Sequence, residues 1–321
     1  MADEDPSLAT RAPESDLHDS GPSTSSDVGT TLSQHCTTSP PIPTHHADST
    51  PSGHIGKFHT TSTADDTGTH QPDEIEAYIS TPSDYPTTPA KLLLLLSNGT
   101  GHRSINNQLQ ADLFARRGYL TIMPDLFADD PAPNSTLASG SELESASWLE
   151  SVKLKVAETA KAFSLDMWLA RQTREKILPR LQAVLSCIEQ EYADAAGRGL
   201  YIVGFCLGGK YALILGGERM AHSDLPVKCV VCAHGALIEG ADVENVKAPV
   251  SLIGVEDDPL FPAEILEVGK KRWQELAVEH EVRVYPGVPH GFAVLGDYGS
   301  QDIAQAQGQA FEQTLKWLEA H

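Results

Sequence analysis

The chain has 321 residues, 40% apolar and 21% charged, with a formal net charge of −21. That acidic balance argues against nucleic acid and anionic membrane surfaces as partners. Five cysteines, an odd number, suit a reducing compartment rather than a disulfide framework. No basic stretch ahead of an apolar core opens the chain, so the expected location is cytoplasmic.

Residues 1–34 are rich in Ser, Thr, Pro and Asp, with almost no large apolar side chains. Such a segment cannot bury enough surface to offset its ordering entropy, and it is expected to be a disordered acidic tail ahead of one domain over 35–321. His35 opens a scattered histidine-rich stretch with His45, His46, His54, His59 and His70. Its spacings are irregular and no cysteine pair accompanies it, which reads as solvated loop rather than metal site; no metal or cofactor is expected. From Ile55 the chain is expected to pair onto a sheet edge.

Strands are predicted near Lys57–His59, Ile75–Ser80, Lys91–Ser97, Tyr119–Pro124, Leu200–Phe205, Cys229–Ala233, Pro249–Val255 and Val282–Tyr285. Helical patterns fall between most of them, over Asn106–Arg117, Thr173–Asp194, Cys206–Gly217, Ala263–His280 and Asp302–Glu319. This alternation predicts an α/β fold whose mostly parallel central sheet carries helices on both faces. Leu92–Leu96 is the most apolar run, far too short for a bilayer, and reads as a central strand buried on both sides. Ala128–Met167 breaks the alternation and reads as a lid-like excursion, with Trp148, Phe163 and Trp168 as candidate pocket walls. Cys229-Val-Val-Cys232 lies in a β-rich run and reads as two core thiols rather than a redox pair. Cys187 reads as core and Cys36 as a loop thiol.

The chemistry concentrates in Gly204-Phe-Cys206-Leu-Gly208, the cysteine form of the G-x-S-x-G turn between strand and helix. The turn is so tight that side chains at Gly204 and Gly208 would collide with their neighbours, and it presents Cys206 at a helix N-terminus, where partial positive charge favours thiolate. In this class of turn the acid and then the base follow later strands. Glu256-Asp257-Asp258-Pro259 follows one and Pro286-Gly-Val-Pro-His290-Gly follows the next. Asp258 alone could be a turn residue and His290 a loop histidine, but together they fit a Cys-His-Asp triad. Attack on an acyl carbon creates an oxyanion that needs preplaced donors. Leu207 N–H is expected to be one and Gly99, in the loop after Leu92–Leu96, the other.

With these residues in view, the chain resembles the dienelactone hydrolase family, an α/β-hydrolase branch with a cysteine nucleophile. The resemblance runs from about Cys36 to the C-terminus. Its most specific parts are Gly204-Phe-Cys-Leu-Gly-Gly-Lys210, Asp258-Pro-Leu-Phe-Pro262, His290-Gly-Phe-Ala293, and Ala111–Tyr119 with Pro124-Asp-Leu-Phe127. It implies hydrolysis of a small-molecule ester or lactone through a thioester, with Cys206, Asp258 and His290 as the triad. The family places its acid just before Pro-Leu-Phe-Pro, which selects Asp258 over Asp257. Two departures bear on substrate: Asp129 and Val294 stand where members that open dienelactone carry carboxylate-binding arginines, and Asn98 stands where the family has a glutamate beside the thiol. A neutral ester or lactone is therefore expected; His102 and Arg103 read equally as further polar contacts to it or as a solvated loop. The alternative is a non-catalytic α/β-hydrolase-like protein that binds a small molecule or partner. Monomer and homodimer are both left open.

Overall fold

Five consecutive leucines, Leu92–Leu96, set the middle of the molecule. In the computed structural model, which describes residues 39–43, 49–60, 74–133, 164–217 and 225–321, they fill strand β3 (Lys91–Leu96). Leu92, Leu94 and Leu96 enter one apolar cluster and Leu93 and Leu95 another, so the strand is buried on both faces as expected. A run this apolar is stable only where helices cover both sides of the sheet.

The other strands are β1 (His54–His59), β2 (Glu74–Ser80), β4 (Tyr119–Pro124), β5 (Leu200–Phe205), β6 (Val227–Ala233), β7 (Val250–Val255) and β8 (His280–Tyr285). They form one eight-stranded sheet in the order β1-β2-β4-β3-β5-β6-β7-β8. β1 and β2 pair antiparallel, as do β2 and β4, and every pair from β4 to β8 is parallel. The segment around Ile55 does add to the sheet edge, and His54 and His59 lie on that strand rather than in a loop. His35, His45, His46 and His70 lie outside the described residues.

The main helices are α1 (Ile105–Ala115), α2 (Arg174–Glu191), α3 (Leu207–Gly217), α4 (Gly240–Glu244), α5 (Ala263–Glu275) and α6 (Gln301–Ala320). Phe114 of α1 and Leu315 and Leu318 of α6 pack on Leu93, Leu95 and Val203. Leu181 and Ile188 of α2, with Ile214 of α3, pack on the opposite face against Leu94 and Ile202. Val243, Leu266 and Trp273 of α4 and α5 close a third cluster over Leu252. No described helix is long and apolar enough to cross a membrane.

Several sequence expectations shift. The helix expected to reach His280 ends at Glu275, because Ala277 takes a left-handed φ of 54° and turns the chain into β8. The helix expected to reach Asp194 stops at Glu191, where Tyr192 leaves helical geometry at φ −123°. Cys229 and Cys232 join clusters on opposite faces of β6, which makes them separate core thiols. Burial pushes the Cys229 thiol up to about 12 and the Cys232 thiol higher still. Cys187 is buried too. The tail over 1–34, Cys36, Trp148 and Phe163 lie outside the described residues. Trp168 is a core residue, fully buried, its ring 5.1 Å from that of Phe127 and its Nε1–H donating to the Asp130 carbonyl at 2.7 Å.

A short proline-rich strap, 39–43, crosses the carboxyl edge of the sheet. Asn106 Nδ2 donates to the carbonyls of Pro40 at 2.9 Å and Leu295 at 2.8 Å. The Asp297 N–H donates to the Pro41 carbonyl at 2.7 Å. The loop after β8 is thereby tied both to α1 and to the beginning of the domain.

Candidate active site

The parallel strands all open their carboxyl ends onto one edge, where an open α/β sheet places its ligands. Between β5 and α3 the backbone reverses within one residue, Cys206, at φ 54°. For a side chain other than glycine this conformation is held only where the surroundings enforce it. Those surroundings are visible. A Cβ on Gly204 would lie 2.2 Å from the Gly208 carbonyl oxygen, and one on Gly208 would lie 2.3 Å from that of Leu96. Glycine at both positions lets α3 start directly against β5 and the end of β3. The exit of β6 clamps the same residue: Cys206 N–H donates to the Ala233 carbonyl at 3.1 Å, and the Cys206 carbonyl accepts from Ala236 N–H at 3.0 Å.

His290 follows β8 and Asp258 follows β7, and the fold brings them together. His290 Nδ1 lies 2.7 Å from Asp258 Oδ2, with both side chains almost wholly buried. The other carboxylate oxygen accepts from Leu260 N–H at 3.0 Å, which fixes its aim. Asp257, by contrast, is exposed and sits at φ 54°, so the adjacent pair splits into one carboxylate turned in and one turned out. The His290 ring also interacts with the Cys206 side chain. Burial alone would lower the His290 pKa, but Cys206 and Asp258 outweigh it and raise the value to about 10. A charged imidazole is thus stabilised between a sulfur and a carboxylate.

Leu207 is the first residue of α3, so its N–H has no partner one turn back in the helix. Gly99 is buried in the loop after β3, which abuts Gly208, and its carbonyl accepts from Ala132 N–H at 2.8 Å. Asn98 is engaged in building that loop: its Oδ1 accepts from Thr100 Oγ1 at 2.7 Å, Thr100 N–H at 3.3 Å and Asn107 Nδ2 at 2.9 Å. The side chain serves the loop as an acceptor and carries no proton to exchange with the thiol.

His102 and Arg103 are committed to protein partners. His102 is buried, with Nε2 3.4 Å from Glu76 Oε2 and Nδ1 3.6 Å from Asp125 Oδ1. Arg103 pairs with Glu76 and with Asp129, the latter at 3.8 Å. Glu76, His102 and Asp129 converge closely enough to hold a metal ion, but the Arg103 guanidinium already shares both carboxylates. Asp125 is in turn held by Arg180 at 3.1 Å.

The Dienelactone hydrolase family profile matches residues 75–321. The chain belongs to the dienelactone hydrolase family. It is a hydrolase of carboxylic esters or lactones. Among curated relatives, Hydrolase tropI of Talaromyces stipitatus is 29% identical over 248 residues, 76% of this chain and 86% of that protein. The Carboxymethylenebutenolidase homolog of Mus musculus is 26% identical over 228 residues, 69% of this chain and 77% of that one. Solved structures agree on the fold. A Klebsiella pneumoniae protein assigned to the same family superposes with a TM-score of 0.58 at 17% identity, covering 84% of this chain and all (100%) of that one. Thermogutta terrifontis esterase 2, phosphorylated by paraoxon, gives 0.55 at 12% identity over 83% of this chain and 94% of its own.

The two positions at which carboxylate-binding arginines would be expected are occupied as follows. Asp129 is exposed and ion-paired, and Val294 is buried in the core beneath the His290 loop. One residue at the site escaped the sequence reading, His234, which leaves β6 beside the elbow and packs on His290 with ring centroids 5.0 Å apart. The available signal was positional: a histidine at the carboxyl end of a parallel strand next to β5, which leads to Cys206.

Proposed function

We propose that Cys206 is the nucleophile, His290 the general base and acid, and Asp258 the residue that orients His290, in hydrolysis of a neutral ester or lactone through a thioester. The observation that carries this reading is the buried His290–Asp258 contact of 2.7 Å, made by a ring that also interacts with the Cys206 side chain. The Cys206 thiolate attacks the acyl carbon. The carbonyl electrons move onto oxygen, where the N–H groups of Leu207 and Gly99 receive the charge. Collapse of the adduct expels the alcohol oxygen, which takes its proton from His290, and leaves an acyl-Cys206 thioester. For a lactone the leaving oxygen stays attached to the acyl chain, so this step opens the ring. His290 then takes a proton from water, the resulting hydroxide attacks the thioester, and the free acid departs as Cys206 recovers its electron pair. Asp258 keeps the proton on Nδ1, so that Nε2 serves the reaction, and stabilises the imidazolium.

A neutral substrate follows from the charges around the site. The guanidinium groups of Arg103, Arg171 and Arg180 pair with Glu76 and Asp129, with Asp130 and with Asp125, respectively. A substrate carboxylate would have to displace one of these partners. The compartment we assign is reducing and cytoplasmic, because a thiol nucleophile acts only while unoxidised.

The test is to incubate the protein with p-nitrophenyl acetate and a panel of neutral lactones, quench in acid, and map acyl groups by mass spectrometry. Acylation of Cys206, accumulating in the Asp258→Asn variant, is expected. Turnover with no acyl group on Cys206 would overturn the reading.

A further inference from the structure

We infer that His234 is a positioning residue for His290, holding the imidazole of the base in the plane that joins Asp258 to Cys206. The inference rests on the proposed Cys206-His290-Asp258 reading and extends it to a fourth side chain. His234 is the first residue after β6 and is completely buried. Its ring meets that of His290 edge to face, with centroids 5.0 Å apart and planes at 71°. Phe205, the residue before the nucleophile, and Phe292, two residues after the base, close around the same ring at 5.7 and 6.3 Å.

Three backbone features show that this ring is placed rather than merely accommodated. His234 holds a left-handed φ of 37°, a conformation that costs a residue with a Cβ and persists only where surrounding structure enforces it. Its N–H donates to the Ile253 carbonyl at 2.7 Å, which ties it to β7, the strand that leads to Asp258. Ala233, just before it, and Ala236, two residues after it, make the bonds that clamp Cys206 at 3.1 and 3.0 Å. One short segment thus touches the base by its ring, the acid's strand by its N–H, and the nucleophile by its flanking peptides.

The contact also has a chemical logic. An aromatic ring presents a negative face and a positive edge, so perpendicular packing is attractive as well as space-filling and resists rotation of either ring. Besides its covalent attachment, the His290 ring is held through Nδ1 by Asp258, and a rotation of the ring would swing Nε2 away from sulfur. A flat ring against its side removes that freedom. A purely apolar filler of similar volume would leave it.

A cavity of about 420 Å³ behind the acid loop reaches the same place, lined by His234, Asp258, Leu252, Phe261 and Val284 among others. It gives a small ring a route to the site when the His234 side chain is removed, and so allows a chemical test.

The experiment compares His234→Phe, His234→Leu and His234→Ala on an ester that the wild type hydrolyses, with iodoacetamide alkylation of Cys206, read by mass spectrometry, as a second readout. Phe keeps a ring and is expected to stay within about 5-fold of wild type in kcat. Leu and Ala are expected to lose roughly 10- to 100-fold in kcat with KM little changed, the size of effect that follows misplacement of a catalytic group. Cys206 alkylation should slow in the same order. Added imidazole should restore part of the loss in the Ala variant, while cyclopentane, of similar size and without a π-face, should not. Full activity in the Leu variant, or equal losses in Phe and Leu, would overturn the inference, and so would rescue by cyclopentane as good as by imidazole. Should Ala fail to fold, the Phe–Leu comparison decides alone. If the wild type hydrolyses no ester while Cys206 alkylation still follows the Phe–Leu order, the triad reading fails and the ring contact stands.

Discussion

The two sides of the sheet's carboxyl edge are built in different ways. Around β5, β6 and β7 the site is made by backbone: a left-handed Cys206, glycines at 204 and 208 that admit no side chain, and peptide bonds from 233 and 236 clamping the elbow. Around β3 and β4 it is made by side-chain ion pairs, with Glu76, Asp125, Asp129 and Asp130 answered by Arg103, Arg180 and Arg171. Backbone geometry resists substitution, because one added carbon at Gly208 would force α3 off the sheet. The exposed ion-pair partners, Arg103 with Asp129 and Arg171 with Asp130, can be exchanged with little effect on the fold. The half that carries Cys206 is therefore rigid, while the ion-paired half can change its chemistry; under the proposed function, it is the second that tunes the substrate.

The largest effect should fall on the rigid half. Cys206→Ala is expected to remove turnover of activated esters by more than about 10³-fold while the melting temperature barely moves, because only one sulfur atom is lost. Activity in that variant equal to wild type would place the chemistry elsewhere. Asp258→Asn should lower kcat by about 10²- to 10⁴-fold through the wrong His290 tautomer, whereas Asp257→Asn should stay within about 2-fold. Equal effects at the two positions would erase the distinction between the inward and outward carboxylates.

A spectroscopic change should follow as well. His290 is held near 10 against its burial by Cys206 and Asp258. Removing either anionic neighbour takes away part of what opposes burial, so Cys206→Ser and Asp258→Asn should each move the His290 titration to lower pH. NMR of the imidazole Cε1–H would measure this, and an unchanged titration in both variants would contradict the electrostatic account. The smallest effect concerns the adaptable half. A neutral lactone should be preferred over its carboxylate-bearing analogue by about 10- to 100-fold in kcat/KM, the worth of one charge-assisted hydrogen bond that this chain does not offer. Equal kcat/KM for the pair would show that another group accepts the anion.

The rigid half was also the legible half. Gly204, Cys206 and Gly208 announce the elbow because each glycine answers a steric demand at a fixed offset, and β3 announces itself by apolarity on both faces. Asp258 and His290 follow from strand exits. The end of α5 misled because the left-handed residue there is Ala277 rather than glycine, so the usual stop signal is missing. Asn98 shows what spacing cannot carry: its amide is committed to Thr100 and Asn107, partners known only once the loop is folded. His102 and Arg103 read in sequence as substrate contacts or solvated loop and turn out to be partners of Glu76, a residue from β2. His234 belongs to no motif and becomes visible only when two separate strand exits meet.

The strap over 39–43 changes where the working unit begins. Recognisable family sequence starts at residue 75, yet Pro40 and Pro41 hold the loop that follows His290 through Asn106 and Asp297. Trimming the protein to its recognisable core would leave Cys206, Asp258 and His290 in the chain while untying the loop that carries His290. A boundary drawn by similarity and one drawn by hydrogen bonds differ here by more than thirty residues, and the second is the one that expression of an active fragment has to respect.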